Sequence, residues 1–378
     1  MKSTQDNTNV LNVAMNGMIN KPSFKTYTMA EVNQKADTNG YTAVSTFSGG
    51  GGSSIGLKLA GFHIPYAVEF IKHAKETYEL NHPKTYVDGR DIRKITGKDI
   101  LKKINVEKYE LDLLEGSPPC ASFSNCGMGQ AGWNKVKTYS DTKQRVDDLF
   151  FEFTRLCDEI KPKMTICENV SALATGNNKG YLKLIIKEFK KIGYDIKLFN
   201  VDCSLLDVPQ TRKRLIFIGI RDDLNITFTP PKPNNYRYSI DDIFDDFENH
   251  VPTEDYHLYG KDTKFYEAQE YCIKHHISSV SKAKKELYGK GASFNYRVLF
   301  KEDVAPTLVQ GTEHMHGYQM RSISIDEAKR IQTFPEDYKL TGGFQKQWER
   351  IGRSVPPRVY EKFGLQIKEA LDNERQKH

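Results

Sequence analysis

The chain has 378 residues, 38% of them hydrophobic and 28% charged, with a mean hydropathy of −0.60. These values suit a folded protein of two or three domains and exclude disorder throughout. No run approaches the roughly 18 apolar residues of a membrane span, and the opening MKSTQDNTN lacks a signal peptide's apolar core, so a cytoplasmic protein without membrane contact is expected. The 55 basic and 49 acidic residues leave a formal charge of +6 that is unevenly spread. Residues 222 to 259 carry nine acidic and two basic side chains, whereas residues 260 to 301 carry nine basic and four acidic ones. The second segment is therefore a candidate phosphate-facing surface.

In chain order, residues 1 to 40 are polar without a sustained apolar period, which predicts a flexible extension. From Tyr41 strand-like and helix-like segments alternate: YTAVSTF, a helix over about 53–60, HIPYAVEF, a helix to Leu80, a short strand at Tyr86, a helix near Ile100, then LDLLEG. This alternation predicts an α/β fold, a parallel Rossmann-like sheet with helices on both faces. Val146, Leu149, Phe150, Phe153, Leu156, Cys157 and Ile160 fall on one face at 3.6 residues per turn. MTICENV reads as a strand, Leu182 to Ile192 as a helix, and YDIKLFNV and RLIFIGI as closing strands. After Asp222 the rhythm stops, with PPKPNN as a boundary, and residues 358 to 373 return to helix. The six cysteines show neither a CxxC pair nor zinc spacing, so no metal or disulfide framework is expected, and Cys157 and Cys167 read as core.

The stretch FSGGGGSSIG, residues 47 to 56, lies between a strand and a helix, where glycines permit a tight turn and close approach of a ligand to the helix N-terminus. By itself it fits a plain connection, a nicotinamide site or an S-adenosylmethionine site. Glu69 ends the second strand, where an acid can accept ribose hydroxyls, and Asp91 follows the third. SPPCASFS, residues 117 to 124, follows the fourth strand, and two prolines stiffen the backbone just before Cys120.

These motifs closely resemble those of the cytosine-5 DNA methyltransferases, in order from about Tyr41 to Leu371. The glycine motif appears as FSGGGGSSIGLKLAG and the nucleophile motif as SPPCASFS, with Ala121 where Gln is commonest. ENV is Glu168 to Val170, PQxRxR is Pro209 to Arg214, RSISIDEAKRIQTFP matches a further motif, and GNxVPP appears as Gly352 to Pro357 with Arg353 in place of Asn. The resemblance implies a Rossmann-like methyltransferase that takes S-adenosylmethionine as cofactor and double-stranded DNA as substrate. It assigns Cys120 as nucleophile, Glu168 as the acid at cytosine nitrogen 3, Arg214 at the carbonyl oxygen, and Arg212 as support for that pocket or a phosphate. Around the cofactor it places Phe47, Ser48, Gly49, Gly51, Gly52, Glu69 (ribose), Phe70, Asp91 (adenine amino group), Ile92, Pro118 and Ser354.

DNA contacts are expected from Ser122, Ser124, Lys282, Lys284, Lys285 and Arg297, with a loop over 125–145 that closes on the substrate. The implied division is an extension over 1–40, a catalytic domain over 41–228, a target-recognition domain over 229–319, and a return to the catalytic domain over 320–378. The same reading expects a monomer, compatible with a cognate restriction endonuclease that acts separately. An RNA methyltransferase of the same architecture is the alternative.

Overall fold

The computed structural model describes residues 21–119, 137–139, 142–144, 148–291 and 296–377. In chain order the elements are α1 Met29–Lys35, β1 Thr42–Thr46, α2 Gly52–Leu59, β2 His63–Val68, α3 Lys72–Asn81, β3 Tyr86–Asp88, α4 Gly97–Ile104 and β4 Leu113–Gly116. A hairpin of β5 Lys137–Tyr139 and β6 Thr142–Gln144 follows, then α5 Leu149–Ile160, β7 Met164–Val170, α6 Lys179–Lys191, β8 Tyr194–Asp202, β9 Gln210–Thr211 and β10 Lys213–Arg221. The remainder comprises α7 Lys264–His275, α8 Val280–Tyr288, β11 Val298–Leu299, β12 Ala305–Pro306, β13 Met315–His316, α9 Ile325–Ile331, α10 Phe344–Arg353 and α11 Pro357–Arg375.

Seven strands form one sheet in the order β3-β2-β1-β4-β7-β10-β8. Successive side chains leave opposite faces of a strand, and here they feed two separate cores. Val44, Leu114, Cys167, Leu215 and Phe217 pack beneath α4, α5 and α6. Ala43, Leu113, Ile166, Ile216 and Ile218 pack beneath α2 and α11, where Leu57, Val359, Tyr360, Phe363 and Ile367 complete the layer. The expected sandwich of helices on both faces is present, and Cys157 and Cys167 are buried in it. Among the described residues no helix is long and apolar enough to cross a membrane.

Three expectations change. The sheet is mixed, because β10 runs antiparallel to both β7 and β8. The link from Asp202 to Lys213 is too short for a helical crossover, so β10 can only turn back beside β8; hydrophobic periodicity carries no strand direction. Residues 21–40 are not a loose extension. Thr28 and Glu31 form a capping box on α1, and Tyr27, Met29 and Val32 are buried against Ile55, Leu59, Phe334 and Tyr338. Seven residues with two buried side chains are too few to show a helical period. Last, one core cluster spans residue 319: Tyr238, Ile240, Ile243, Phe244 and Phe247 pack with Ile323, Ile325, Ile331, Trp348 and Ile351. The stretch with a core of its own within 229–319 is narrower, built from α7, α8 and the strands around Val298 and Met315.

Candidate active site

The five mutually parallel strands β3, β2, β1, β4 and β7 end on one edge of the sheet, and open α/β sheets bind ligands at such edges. The expected residues Phe47, Glu69, Asp91, Pro118 and Glu168 all belong to these ends or the turns that follow. Cys120, Ser122, Ser124 and most of the 125–145 loop lie outside the described residues.

The turn after β1 is tightly constrained. Phe47 has φ 53°, a left-handed conformation that side chains rarely adopt and that collects at functional turns. Gly51 has φ 80°, and a Cβ there would stand 2.5 Å from the Tyr338 hydroxyl; on Gly52 it would stand 2.1 Å from the Val355 carbonyl. These two glycines are therefore required by packing, which lets the turn lie flat on the 354–355 segment. The Gly49 N–H donates to Glu69 Oε2 and the Ile71 N–H donates to Glu69 Oε1, each at 2.7 Å. Glu69 is thus locked to the glycine turn. Burial pushes its carboxyl up, opposed by those two bonds and by Arg350 and Arg353 nearby. Ser48 is buried with its hydroxyl 2.8 Å from that of Ser45, while Phe70 is 40% exposed at the rim.

Asp91 accepts the Arg93 N–H and so caps a short 3₁₀ turn, Ile92–Lys94, with Ile92 buried beneath. The Arg93 guanidinium bridges Asp91, at 3.1 Å, to Asp148 at the start of α5, at 2.6 Å. That ion pair was not legible in the sequence. Ser354 donates its hydroxyl to the Arg350 carbonyl at 2.6 Å, and Arg353 pairs with Glu349 at 3.0 Å and donates to Gln310.

On the neighbouring strands, Glu168 and Arg214 form an ion pair, Oε1 to Nε, at 2.5 Å. Glu168 lies opposite Ile216 and Arg214 opposite Val170, so the pair runs diagonally across β7 and β10. The two residues expected to hold one cytosine ring do meet. Arg212 does not join them. It is buried, donating to the carbonyls of Leu308 at 2.9 Å and of Gly352 and Ser354 at 3.2 Å. Burial pushes its pKa down to about 9. Its side chain makes a structural contact beside that pair: a guanidinium enclosed by carbonyls pins β9–β10 to the segments around 308 and 353.

In the second region Lys282 and Lys285 are exposed on α8, as a phosphate-facing surface requires. Lys284 differs, because its ammonium lies 3.5 Å over the Phe265 ring. Arg297 is half-buried and bridges Ser279 in a single antiparallel contact. Sequence reasoning passed over Glu115 altogether, a fully buried acid on β4 that accepts from the Ser45 hydroxyl at 2.5 Å. The available signal was an acid inside an otherwise apolar strand.

The C-5 cytosine-specific DNA methylase family matches residues 41–369. The chain belongs to that family. The Type II methyltransferase M.FnuDI of Fusobacterium nucleatum is 29% identical over 343 residues, spanning 87% of this chain and 94% of that protein. M.PspPI of Psychrobacter sp. is 31% identical over 336 residues, spanning 84% and 76%. Among solved structures, a DNA modification methyltransferase encoded within an E. coli prophage aligns with TM-score 0.64 and 23% identity over 88% of this chain and 99% of that one, a likeness of fold.

As a C-5 cytosine DNA methylase the chain is an enzyme, with S-adenosylmethionine as methyl donor and cytosine in DNA as substrate. The RNA alternative is not favoured. The donor set fits the cofactor: a glycine turn held through the Gly49 N–H to the buried acid Glu69, with Asp91 after the next strand and Phe47 beside it. When bound, S-adenosylmethionine would supply an electrophilic methyl group.

Proposed function

We propose that this chain is a modification methyltransferase of the Type II kind, acting as a monomer and independently of any cognate endonuclease. In this reading it flips one cytosine out of a specific duplex sequence and methylates it through a covalent adduct of Cys120. The observation that carries it is the Glu168–Arg214 pair, set beside the strand that runs into Pro118, Pro119 and Cys120.

Carbon 5 of cytosine is too weak a nucleophile to displace a sulfonium group unaided. The Cys120 thiolate adds to carbon 6, and the electrons displaced across the ring make carbon 5 nucleophilic toward the methyl group that bound S-adenosylmethionine would supply. Glu168 hydrogen-bonds ring nitrogen 3 and Arg214 the carbonyl oxygen, both drawing density away from carbon 6. Removal of the carbon 5 proton then expels Cys120 and restores the ring. The expected cofactor contacts enter this reading as follows: Glu69 on the ribose, Asp91 on the adenine amino group, Phe47, Ile92, Ser48, Gly49 and Pro118 around the cofactor, and Ser354 beside its amino-acid end. Residues 229–319 carry target recognition, with Lys282, Lys285 and Arg297 positioning phosphates and Ser122 and Ser124 touching the flipped nucleotide.

The test is base-resolution methylation sequencing of DNA from cells expressing the chain or its Cys120→Ser variant. A methylated cytosine in one sequence context is expected from the parent and none from the variant, while the purified variant still binds duplex DNA. Undiminished methylation by Cys120→Ser overturns the assignment of the nucleophile.

A further inference from the structure

Glu115 is a fully buried carboxyl beside the active site. It points to the α2–α11 side of the sheet, since Leu113, two residues before it, packs there. Its register partners are Ser45 on β1 and Ile166 on β7. Glu168 lies two residues beyond Ile166 on the same face, so the two acids sit diagonally across adjacent strands, roughly 8 Å apart by strand geometry.

The groups facing Glu115 are hydroxyls and acids. Ser45 on β1 donates to Oε2 and stands 2.8 Å from Ser48 in the cofactor turn. Ser53 approaches from α2 and Ser117 from the loop after β4. The titratable neighbours are Glu168 and Cys167 on β7, Tyr78 on α3 and Tyr360 on α11. Among the described residues no ion pair reaches Glu115.

Among the described residues, three buried polar atoms in this nest find no well-formed hydrogen bond: Glu115 Oε1, Ser117 Oγ and the Tyr360 hydroxyl. They are neighbours, because Ser117 stands close enough to influence both Glu115 and Tyr360. Leaving such atoms unpaired in a dry interior is costly. A proton on Oε1 turns the row into a chain of donors and acceptors, from Tyr360 through Ser117 and Glu115 to Ser45 and Ser48. That row starts on α11, crosses the strand that runs into Cys120 and ends in the cofactor turn.

We propose that Glu115 is a positioning residue, a carboxylic acid whose hydrogen bonds tie the cofactor turn to the loop that carries Cys120. It touches neither cofactor nor cytosine; it holds the two loops that do in one register. The acid form suits the place, as burial, with Glu168 adding to it against Ser45, Ser53 and Ser117, pushes its pKa up to about 8. The group is then neutral at pH 7. As pH rises through about 8 it ionises, a buried carboxylate faces hydroxyls and a second acid, and the two loops separate.

The inference rests on the reading of the glycine turn as the cofactor site, and S-adenosylhomocysteine binding by calorimetry from pH 6.5 to 9.5 tests it without involving Cys120 chemistry. Parent, Glu115→Gln and Glu115→Leu are compared, with circular dichroism to establish folding. At pH 7 the glutamine variant, which keeps shape and hydrogen bonding, should bind about threefold more weakly than the parent and the leucine variant about thirtyfold more weakly. At pH 9 the parent should bind about tenfold more weakly than at pH 7, as the neutral fraction falls, whereas Glu115→Gln should change less than twofold. A glutamine variant that follows the parent's pH curve, or a folded leucine variant that binds as tightly as the parent, overturns the role of Glu115. If Glu115→Leu fails to fold, the glutamine pH curve alone decides. A folded parent that binds no S-adenosylhomocysteine at any pH overturns the cofactor reading and the inference with it.

Discussion

Between β1 and β10 alternate strand side chains drop into one of two cores. From residue 222 to 319 the described chain has no strand longer than two residues, and side-chain pins take the place of a ladder. Three acids of the 222–259 run serve in this way: Glu254 pairs with buried Lys329 and Glu248 with Lys301, each at 2.6 Å, and Asp242 holds Lys21 at 2.5 Å. Arg321 clasps Glu327 with two bonds of 2.8 Å inside the shared core, and His316 stacks on Phe247. A sheet positions its site through backbone register, whereas the second region depends on individual side chains. Substitutions should separate the two: chemistry lost at the strand ends without loss of structure, structure lost at the pins without loss of chemistry.

The largest effect is expected at Glu168. Glu168→Gln keeps the shape but not the acid, and turnover on duplex DNA should fall by about two to four orders of magnitude with S-adenosylhomocysteine affinity within a factor of about three. Single-turnover kinetics and calorimetry check this, and parallel losses in both would make Glu168 a structural residue. Arg212 should behave in the opposite way. Arg212→Met leaves the carbonyls of Leu308, Gly352 and Ser354 without their donor, and should cost about 3 kcal/mol in denaturant unfolding. A stable but catalytically dead Arg212→Met would return this residue to the cytosine pocket.

Acid should find the second region next. His314 is enclosed, and burial holds its pKa down to about 4. The folded protein keeps this imidazole neutral while the unfolded chain binds a proton near the usual value of about 6.5. Its contribution is therefore intact at pH 7 and is lost as pH falls from about 6.5 toward 4, up to on the order of 3 kcal/mol. His316, also pushed to about 4 by burial, adds with the same sign. Unfolding midpoints measured from pH 4.5 to 7.5 should show a shallower acid limb in His314→Gln than in the parent.

The smallest effect distinguishes lysines on one helix. Replacing Lys282 and Lys285 by Ala should lower the slope of log affinity for DNA against log salt by about 1 for each phosphate that is no longer neutralised, across all sequences, with cofactor affinity unchanged. Lys284→Ala should leave that slope in place and lower stability by about 0.5–1 kcal/mol, since its ammonium sits on Phe265. An unchanged slope in the double variant would make α8 a solvated basic face.

What was legible in the sequence follows from what period and motif encode. A strand such as Met164–Val170 and a helix such as Leu149–Ile160 announce themselves, because burial on a defined face forces apolar residues to recur at that element's own spacing. Glu69 and Asp91 could be placed for a related reason, because parallel strand ends meet the same edge, whereas Glu168 was placed by the resemblance of its ENV motif. The antiparallel turn of β10, the burial of α1, the core that runs across residue 319, the carbonyl contacts of Arg212 and the enclosure of Glu115 could not be read in this way. Each depends on which distant segment comes to lie against the residue. A guanidinium is a ligand in solvent and a pin among carbonyls, and a glutamate is a surface charge or a neutral buried acid. The side chain itself is the same in both cases, and only its tertiary surroundings decide between them.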